Sequence, residues 1–387
     1  MIKKIILSAI LICTALLLIA QEIQHESVVV NIEVQVRVFQ RNTFIDKLTK
    51  NDFLIYEDGK FQDVDAVYLI KSTEIQREDT DMKPEEAQKT FAPDVSRNLV
   101  LQFDMKDYLP KIDEALDLFI ENFISPGDSL IVMTPVKSYS FKKEALSLVP
   151  RETIATNLKD LVRRDINLGS VEYKGLIRDY MDLYRSDMER DLKLYMMQGK
   201  INEIQNSRYI PEKKMEEFSN YLKDLPGQKF VFFFYQNENI PIPPFAVKDP
   251  KYFEFIGEIM SFVAFDPETI KQTFSDSSIS LHFLYVTQNR YSLGDVENRE
   301  QSDIDMQDIS SNMFSILGEI ANATGGITES SANVASMFEK AADASENYYL
   351  LYYTPKEYTM DGKFKTIEVK VKDKNYRITH RQGYFAN

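Results

Sequence analysis

The run Lys229-Phe230-Val231-Phe232-Phe233-Phe234-Tyr235 constrains this chain more than any other stretch. It does not alternate, so neither face can meet water. Such a run forms a central strand of a sheet that is covered on both sides. A second run, Leu99 to Phe103, ends abruptly in Asp104. Apolar residues at helical spacing follow: Ile112, Leu116, Phe119, Ile120 and Phe123. That order is a buried strand delivering a carboxylate to the carboxyl edge of a sheet, then a helix returning over it. Ser129 to Thr134 repeats the strand after the turn Ser125-Pro126-Gly127-Asp128, and Ser278 to Val286 supplies another. The predicted class is α/β, with a doubly wound, mostly parallel sheet spanning 98–345.

Both ends of the chain read differently. Val28 to Phe39 alternates apolar and polar residues, which marks a half-buried strand. Phe53 to Tyr56 is a second strand, Asp58-Gly59 a hairpin turn, and Val64 to Ile70 a third strand. The tail predicts three more: Tyr348 to Tyr353, Phe364 to Val371, and Tyr376 to Tyr384. Neither end has enough residues to bury a core alone. The expectation is that 21–75 and 346–387 pack together as one β-sandwich from which 98–345 is inserted. The polar stretch 76–97, with Pro84 and Pro93, reads as a linker.

Within the larger domain, 175–225 is a helical elaboration. Ile177, Met181, Tyr184, Met188 and Tyr195 predict one long helix to about Gln198. Then comes Ile201 to about Gln205, a break near Pro211, and a further helix that carries Met215, Phe218 and Leu222 to Lys223. Tyr252 to Phe265 reads as another helix, Ile240 to Pro244 as a rigid exposed loop, and Asp295 to Asp308 as an acidic loop. Thr324-Gly325-Gly326 turns into the last short strand, and Val334 to Ser345 is the closing helix.

The strand ending in Asp104 and the helix after it resemble the first strand and metal loop of von Willebrand factor type A domains. Three further segments resemble the exported bacterial proteins related to that family: Leu48-Thr49 with Asp52-Phe53, Tyr56-Glu57-Asp58-Gly59-Lys60, and the tail with Tyr348 to Tyr353 and Arg381-Gln382-Gly383-Tyr384-Phe385-Ala386. The resemblance covers 28–386, with 175–225 divergent. In that family the loop Asp-x-Ser-x-Ser, with a Thr and an Asp from later loops, holds a divalent cation that bridges to a partner's carboxylate. Here the loop is Asp104-Met105-Lys106-Asp107-Tyr108: the Asp is kept, both serines are gone, and a lysine stands at a ligand position. Ser170, in Gly169-Ser170, stands where the family has its Thr. An amide and Glu238 follow the central strand in place of the later Asp. Asp104, Asp107, Ser170 and Glu238 are therefore the weak candidates if a cation site survives. Because Lys106 repels an ion directly, the expectation is a degenerate site with no metal and no cofactor. Asp104 is then expected to pair with Lys106 or to cap the next helix.

Composition narrows the rest. Lys3 and Lys4 precede an apolar run, Ile5 to Ala20, which reads as a cleaved signal peptide over 1–20. It is too short for a bilayer span, and no comparable run follows, so no membrane span is expected in the mature chain. Cys13 is the single cysteine and falls in that leader, so the mature chain has no disulfides and no thiol chemistry. The formal charge is −14, and −16 once Lys3 and Lys4 are lost, which argues against nucleic acid as a partner. The histidines, His25, His282 and His380, have no metal-like spacing, and no nucleophile, phosphate-loop or dinucleotide motif occurs. The expected function is non-catalytic: an exported protein, periplasmic or extracellular, that binds an unknown protein partner without metal. The predicted binding surface is the sheet edge near Asp104, Gly169 and Gln236. The alternatives are a metal-dependent adhesion or sensor protein, a hydrolase with a rearranged carboxylate site, and a purely structural envelope component. The oligomeric state is not set by the sequence.

Overall fold

Register explains the central sheet before any side chain is considered. In the computed structural model, β7 (Arg97–Asp104) and β10 (Gln228–Gln236) run parallel, with Phe232 opposite Leu101 and Tyr235 opposite Asp104. The structure describes residues 30–41, 43–83, 87, 90–91, 93–207, 210–242, 250–261, 263, 265–287, 305–372 and 375–387. The leader 1–20 with Cys13, then His25, Val28 and Val29, Pro243 and Pro244, and most of the acidic stretch from Asp295 lie outside the described residues.

In chain order the amino-terminal strands are β1 (Ile32–Gln40), β2 (Thr43–Phe44), β3 (Phe53–Glu57), β4 (Lys60–Gln62), β5 (Ala66–Lys71) and β6 (Glu74–Thr80). After β7 come α1 (Pro110–Leu118), which continues as a π-helical turn over Phe119–Phe123, then β8 (Ser129–Met133) and β9 (Ser138–Phe141). Five helices follow: α2 (Lys143–Leu148), α3 (Arg151–Gly169), α4 (Val171–Arg185), α5 (Arg190–Ser207) and α6 (Glu212–Lys223). After β10 come β11 (Asn239–Ile242), α7 (Pro250–Ser261), α8 (Pro267–Asp276), β12 (Ile279–Val286), β13 (Asp305–Asp308), α9 (Ser311–Ala323), β14 (Thr328–Ser331) and α10 (Val334–Glu346). The chain closes with β15 (Asn347–Tyr353), β16 (Phe364–Val371), β17 (Arg377–His380) and β18 (Gly383–Phe385).

The central sheet has the order β14-β12-β10-β7-β8-β9. Every described pair in it is parallel except β8 with β9. Helices cover both faces, so β10 and β12 are buried along almost their full length. On one face Phe119, Phe123, Phe232 and Phe338 pack together. On the other, Val231, Phe233 and Phe283 meet Phe274, Leu317 and Ile320. This is a mixed α/β fold with a mostly parallel sheet, as the apolar runs predicted.

The two ends form two antiparallel sheets. One has the order β17-β1-β15-β5-β6, with β2 on β1, and the other β18-β16-β3-β4. Each mixes amino-terminal with carboxy-terminal strands. Val34, Val36 and Val38 of the first sheet meet Phe53, Ile55, Ile367 and Val369 of the second in a shared core. The turn between β3 and β4 has Asp58 at φ 47° and Gly59 at φ 77°, the left-handed pair that a two-residue hairpin needs.

The first sheet is buried on its other face as well. Tyr68, Ile70, Tyr348, Leu350 and Tyr352 join the core of the α/β layer rather than facing water. That is why the segment Tyr348 to Tyr353 is aromatic and aliphatic without alternation.

Several expectations need correction. The stretch read as a linker, 76–97, opens on the larger part of β6, which is paired with β5. The tail strand expected over Tyr376 to Tyr384 is two strands, split at Arg381, which bridges to Thr324. The long helix expected through Gln198 breaks between Arg185 and Arg190. Glu189 accepts from the amides of Asp191 and Leu192 and so starts a new helix there. Lys193 Nζ donates to the carbonyls of Tyr184 and Ser186, which closes the helix before it. Tyr195, expected on the buried stripe, is 75% exposed because that break resets the phase. The prolyl segment from Ile240 is not an exposed loop: β11 pairs antiparallel with β13, and Ile240 and Ile242 are buried.

Candidate functional site

Parallel pairing of β7 with β10 fixes one edge where both strands end. Asp104 is the last residue of β7, and Gln236 the last of β10. The loop after Asp104 is pinned from both sides. Met105 is buried as an apolar anchor, and Gln236 Oε1 accepts from the backbone amides of Lys106 at 2.7 Å and Asp107 at 2.8 Å. The amide side chain of β10 thus organises the β7 loop through its backbone.

That constraint turns Lys106 back over the edge. Its Nζ lies 3.4 Å from Asp104 Oδ1 and 3.6 Å from Glu238 Oε1. It also lies 5.5 Å from the centre of the Tyr173 ring on α4. The Lys106 side chain is 17% exposed, Asp104 26% and Glu238 2%. An ammonium between two carboxylates and an aromatic face is a cation site whose cation belongs to the chain. The pairing expected between Asp104 and Lys106 is present, and Glu238 completes it.

The other two candidates are placed elsewhere. Asp107 pairs with Lys174 Nζ of α4 at 2.8 Å. Ser170 is fully buried at the junction of α3 and α4, and its Oγ donates to the carbonyl of Asn167 at 3.0 Å. Among the described residues, no group of three or more His, Cys, Asp or Glu side chains stands close enough to hold a metal ion.

Glu238 is held by more than the lysine. Its amide donates to Ser310 Oγ at 3.1 Å, and its carbonyl accepts from the amide of Ile309 at 2.9 Å. Tyr235 Oη donates to Glu238 Oε2 at 3.4 Å. Ser310 donates to Asp308 Oδ1 at 2.6 Å, and Tyr285 Oη donates to Asp308 Oδ2 at 2.9 Å. Burial first, then the neighbouring Asp308, pushes the Tyr285 phenol far above its ordinary range, so it remains a neutral donor. Sequence reasoning missed Tyr173, Lys174, Tyr285, Asp308 and Ser310. No spacing ties them to Asp104, because packing of distant elements brings them there.

A separate small core closes over this edge. Tyr173, Ile177 and Tyr180 of α4 pack with Leu194, Met197, Ile201 and Ile204 of α5, with β11, and with Tyr252 and Ile256 of α7. The Tyr180 and Tyr252 hydroxyls share a hydrogen bond of 2.5 Å. The elaboration is therefore a cap in its first half only. In the second half, α6 packs against α8, with Ser219 Oγ 2.8 Å from Ser277 Oγ. Pro135 abuts Gly169 so closely that a Cβ there would lie 2.4 Å from Pro135 Cβ. Val136, Leu168 and Val171, flanking that contact in sequence, are 48%, 57% and 64% exposed.

The histidines do not join the edge. His282 Nε2 lies 2.9 Å from Ser345 Oγ, and both residues are fully buried. No substrate can reach that pair, and burial holds the imidazole neutral, well below its ordinary pKa. His380 Nε2 accepts from the amide of Val369 at 3.2 Å.

No family model matches this sequence. No curated protein matches it either. Among solved structures, the human COPII-coat protein Sec24c aligns over 76% of this chain and 44% of its own, at 6% identity and a TM-score of 0.30. The chain thus spans less than half the length of that protein, and likeness at this level carries neither fold nor function across.

Proposed function

We propose that this chain is a non-catalytic, exported bacterial protein that binds another protein without a metal ion. One observation carries the reading: the Lys106 ammonium stands between Asp104 and Glu238, so the charge a divalent ion would supply is already present. Bringing a second cation there sets it against an ammonium in a partly desolvated place, which is unfavourable. The resemblance of the Asp104 loop and the tail to von Willebrand factor A-related proteins supports the same reading. In that family this edge is where partners are met.

The deep part of the edge is covered by the cap, so the partner is met around Gly169. The side chains of Val136, Leu168 and Val171 offer apolar area there. Export rests on the leader 1–20 and on a mature chain free of cysteine. The test is capture of envelope proteins on the immobilised chain, with and without chelator. A partner retained equally in both, and lost on Leu168→Asp with Val171→Asp, supports the reading. A partner released by chelator contradicts it.

A further inference from the structure

Strand β16 meets the tail of the chain along one edge. Thr366 pairs with Gly383 of β18, and the Ile367 amide donates to the Gln382 carbonyl at 2.6 Å. The next amide on that edge is Val369, because alternate residues of a strand turn their N–H groups to the same side. By then the tail has crossed into the other sheet, where β17 pairs with β1 and His380 stands opposite Val36. A side chain fills the ladder position instead: His380 Nε2 accepts from the Val369 amide at 3.2 Å. The imidazole thus joins the two sheets of the sandwich at the corner where the chain passes between them.

The protons on this ring are fixed from both sides. His380 Nδ1 lies 2.8 Å from the Arg381 carbonyl, which can only accept, so Nδ1 carries a hydrogen. The Val369 amide can only donate, so Nε2 is bare. Both bonds demand the same neutral tautomer. An imidazolium keeps the first and loses the second. Its Nε2–H would point at another N–H, and buried Val369 would be left without an acceptor.

The surroundings do not rescue the charged form. On the same face, Val36 and Ile378 belong to the apolar core of the sandwich. Thr379 and Arg381 alternate to the opposite face. Arg37 also points away, donating to the carbonyls of Ala344 and Gly325. The turn at Gly325 brings only backbone against His380. From β16, Glu368 favours the imidazolium, but that carboxylate is shared with Lys370 Nζ at 3.0 Å, and burial outweighs it.

We propose that His380 is an acid-released clasp: its protonation parts the tail from β16 at the corner 380–383 while the central sheet stays folded. This concerns the sandwich, and it stands or falls separately from what meets the sheet edge. The ring of the closed corner titrates below the ordinary 6.5, so the open form gains on acidification below that pH. The gain is at most about tenfold per pH unit.

Amide exchange of the full chain from neutral to mildly acidic pH, corrected for intrinsic rates, tests it. Val369 and the amides of β18 should lose protection by up to about tenfold per pH unit, while Val231 to Tyr235 of β10 stay protected. His380→Gln sets a carbonyl oxygen at the reach of Nε2 and cannot titrate. It should keep Val369 protected at neutral pH and flatten the acid response. Nitrogen NMR of the histidine-labelled wild-type chain reads the tautomer without any variant. It should show Nδ1 protonated and Nε2 bare at neutral pH. A ring protonated at Nε2 overturns the proposal, as does a flat exchange profile. So does an acid response that survives His380→Gln, or one at Val369 that only keeps step with β10.

Discussion

At Lys106 one ammonium stands between two carboxylates, of which Glu238 is 2% exposed. A carboxylate that deeply placed is costly to leave unpaired, because its lost hydration must be replaced by a cation or donors. Lys106→Ala should therefore cost about 3 kcal/mol, near the low end for removing one partner of a buried pair. The double variant Lys106→Ala with Glu238→Gln should recover most of that loss, since the buried side chain that lost its ammonium is then neutral. Denaturant titration of both variants measures the difference, and equal losses would contradict the pairing. Asp104 and Lys106 were readable in the sequence because the end of a buried strand fixes where its carboxylate goes. Asp107 and Ser170 were not. The direction of the Asp107 side chain is set by Lys174 on α4, and that of Ser170 by the Asn167 carbonyl. Both partners arrive through helix packing, which no local spacing encodes.

Among elements, the terminal strands depend on one another most. A chain ending at Thr354 lacks β16, β17 and β18. It thereby removes one of the two partners of β3 and one neighbour of β1. Amide exchange should then lose protection over Phe53–Glu57 and weaken over Ile32–Gln40, and full protection of those strands would contradict the shared sandwich. The hairpin and the alternation of β1 were visible because side-chain period and turn chemistry are local. The strand β6 was hidden because an edge strand carries charge rather than an apolar face, and Glu74 to Thr80 is mostly polar and exposed. Pro241 concealed β11 in the same way. Proline is excluded from central strands, but β11 belongs to a two-stranded ribbon in which each strand is an edge. The break between α4 and α5 was missed because apolar spacing runs through it, whereas the Glu189 cap that makes it is a single side chain.

Over the whole molecule, the sandwich and the α/β layer share one sheet buried on both faces. Buried guanidinium groups hold the seam. Arg37 donates to the carbonyls of Ala344 and Gly325, and burial lowers its pKa to about 10. Arg381 donates to Ser278 Oγ and to the Glu33 carbonyl. Beside this seam His282 and His380 are held neutral, chiefly by burial. Their folded pKa values lie below the unfolded value of 6.5. Below that pH the unfolded chain binds more protons than the folded one, so stability is fully present above it and falls on acidification. The slope should approach about 1.4 kcal/mol per pH unit for each histidine. Asp343 and Glu346, pushed up by burial, act in the opposite sense, but only above the ordinary carboxylate range. Denaturant midpoints compared at neutral and mildly acidic pH check this, and a flat profile would contradict it. In the proposed reading, the Lys106 ammonium occupies the place at the carboxyl edge that a divalent cation would need. A calorimetric titration of the full chain with magnesium, manganese and calcium tests it most directly. No saturable heat is expected with any of the three, and micromolar binding abolished by Asp104→Ala would overturn this reading of the edge.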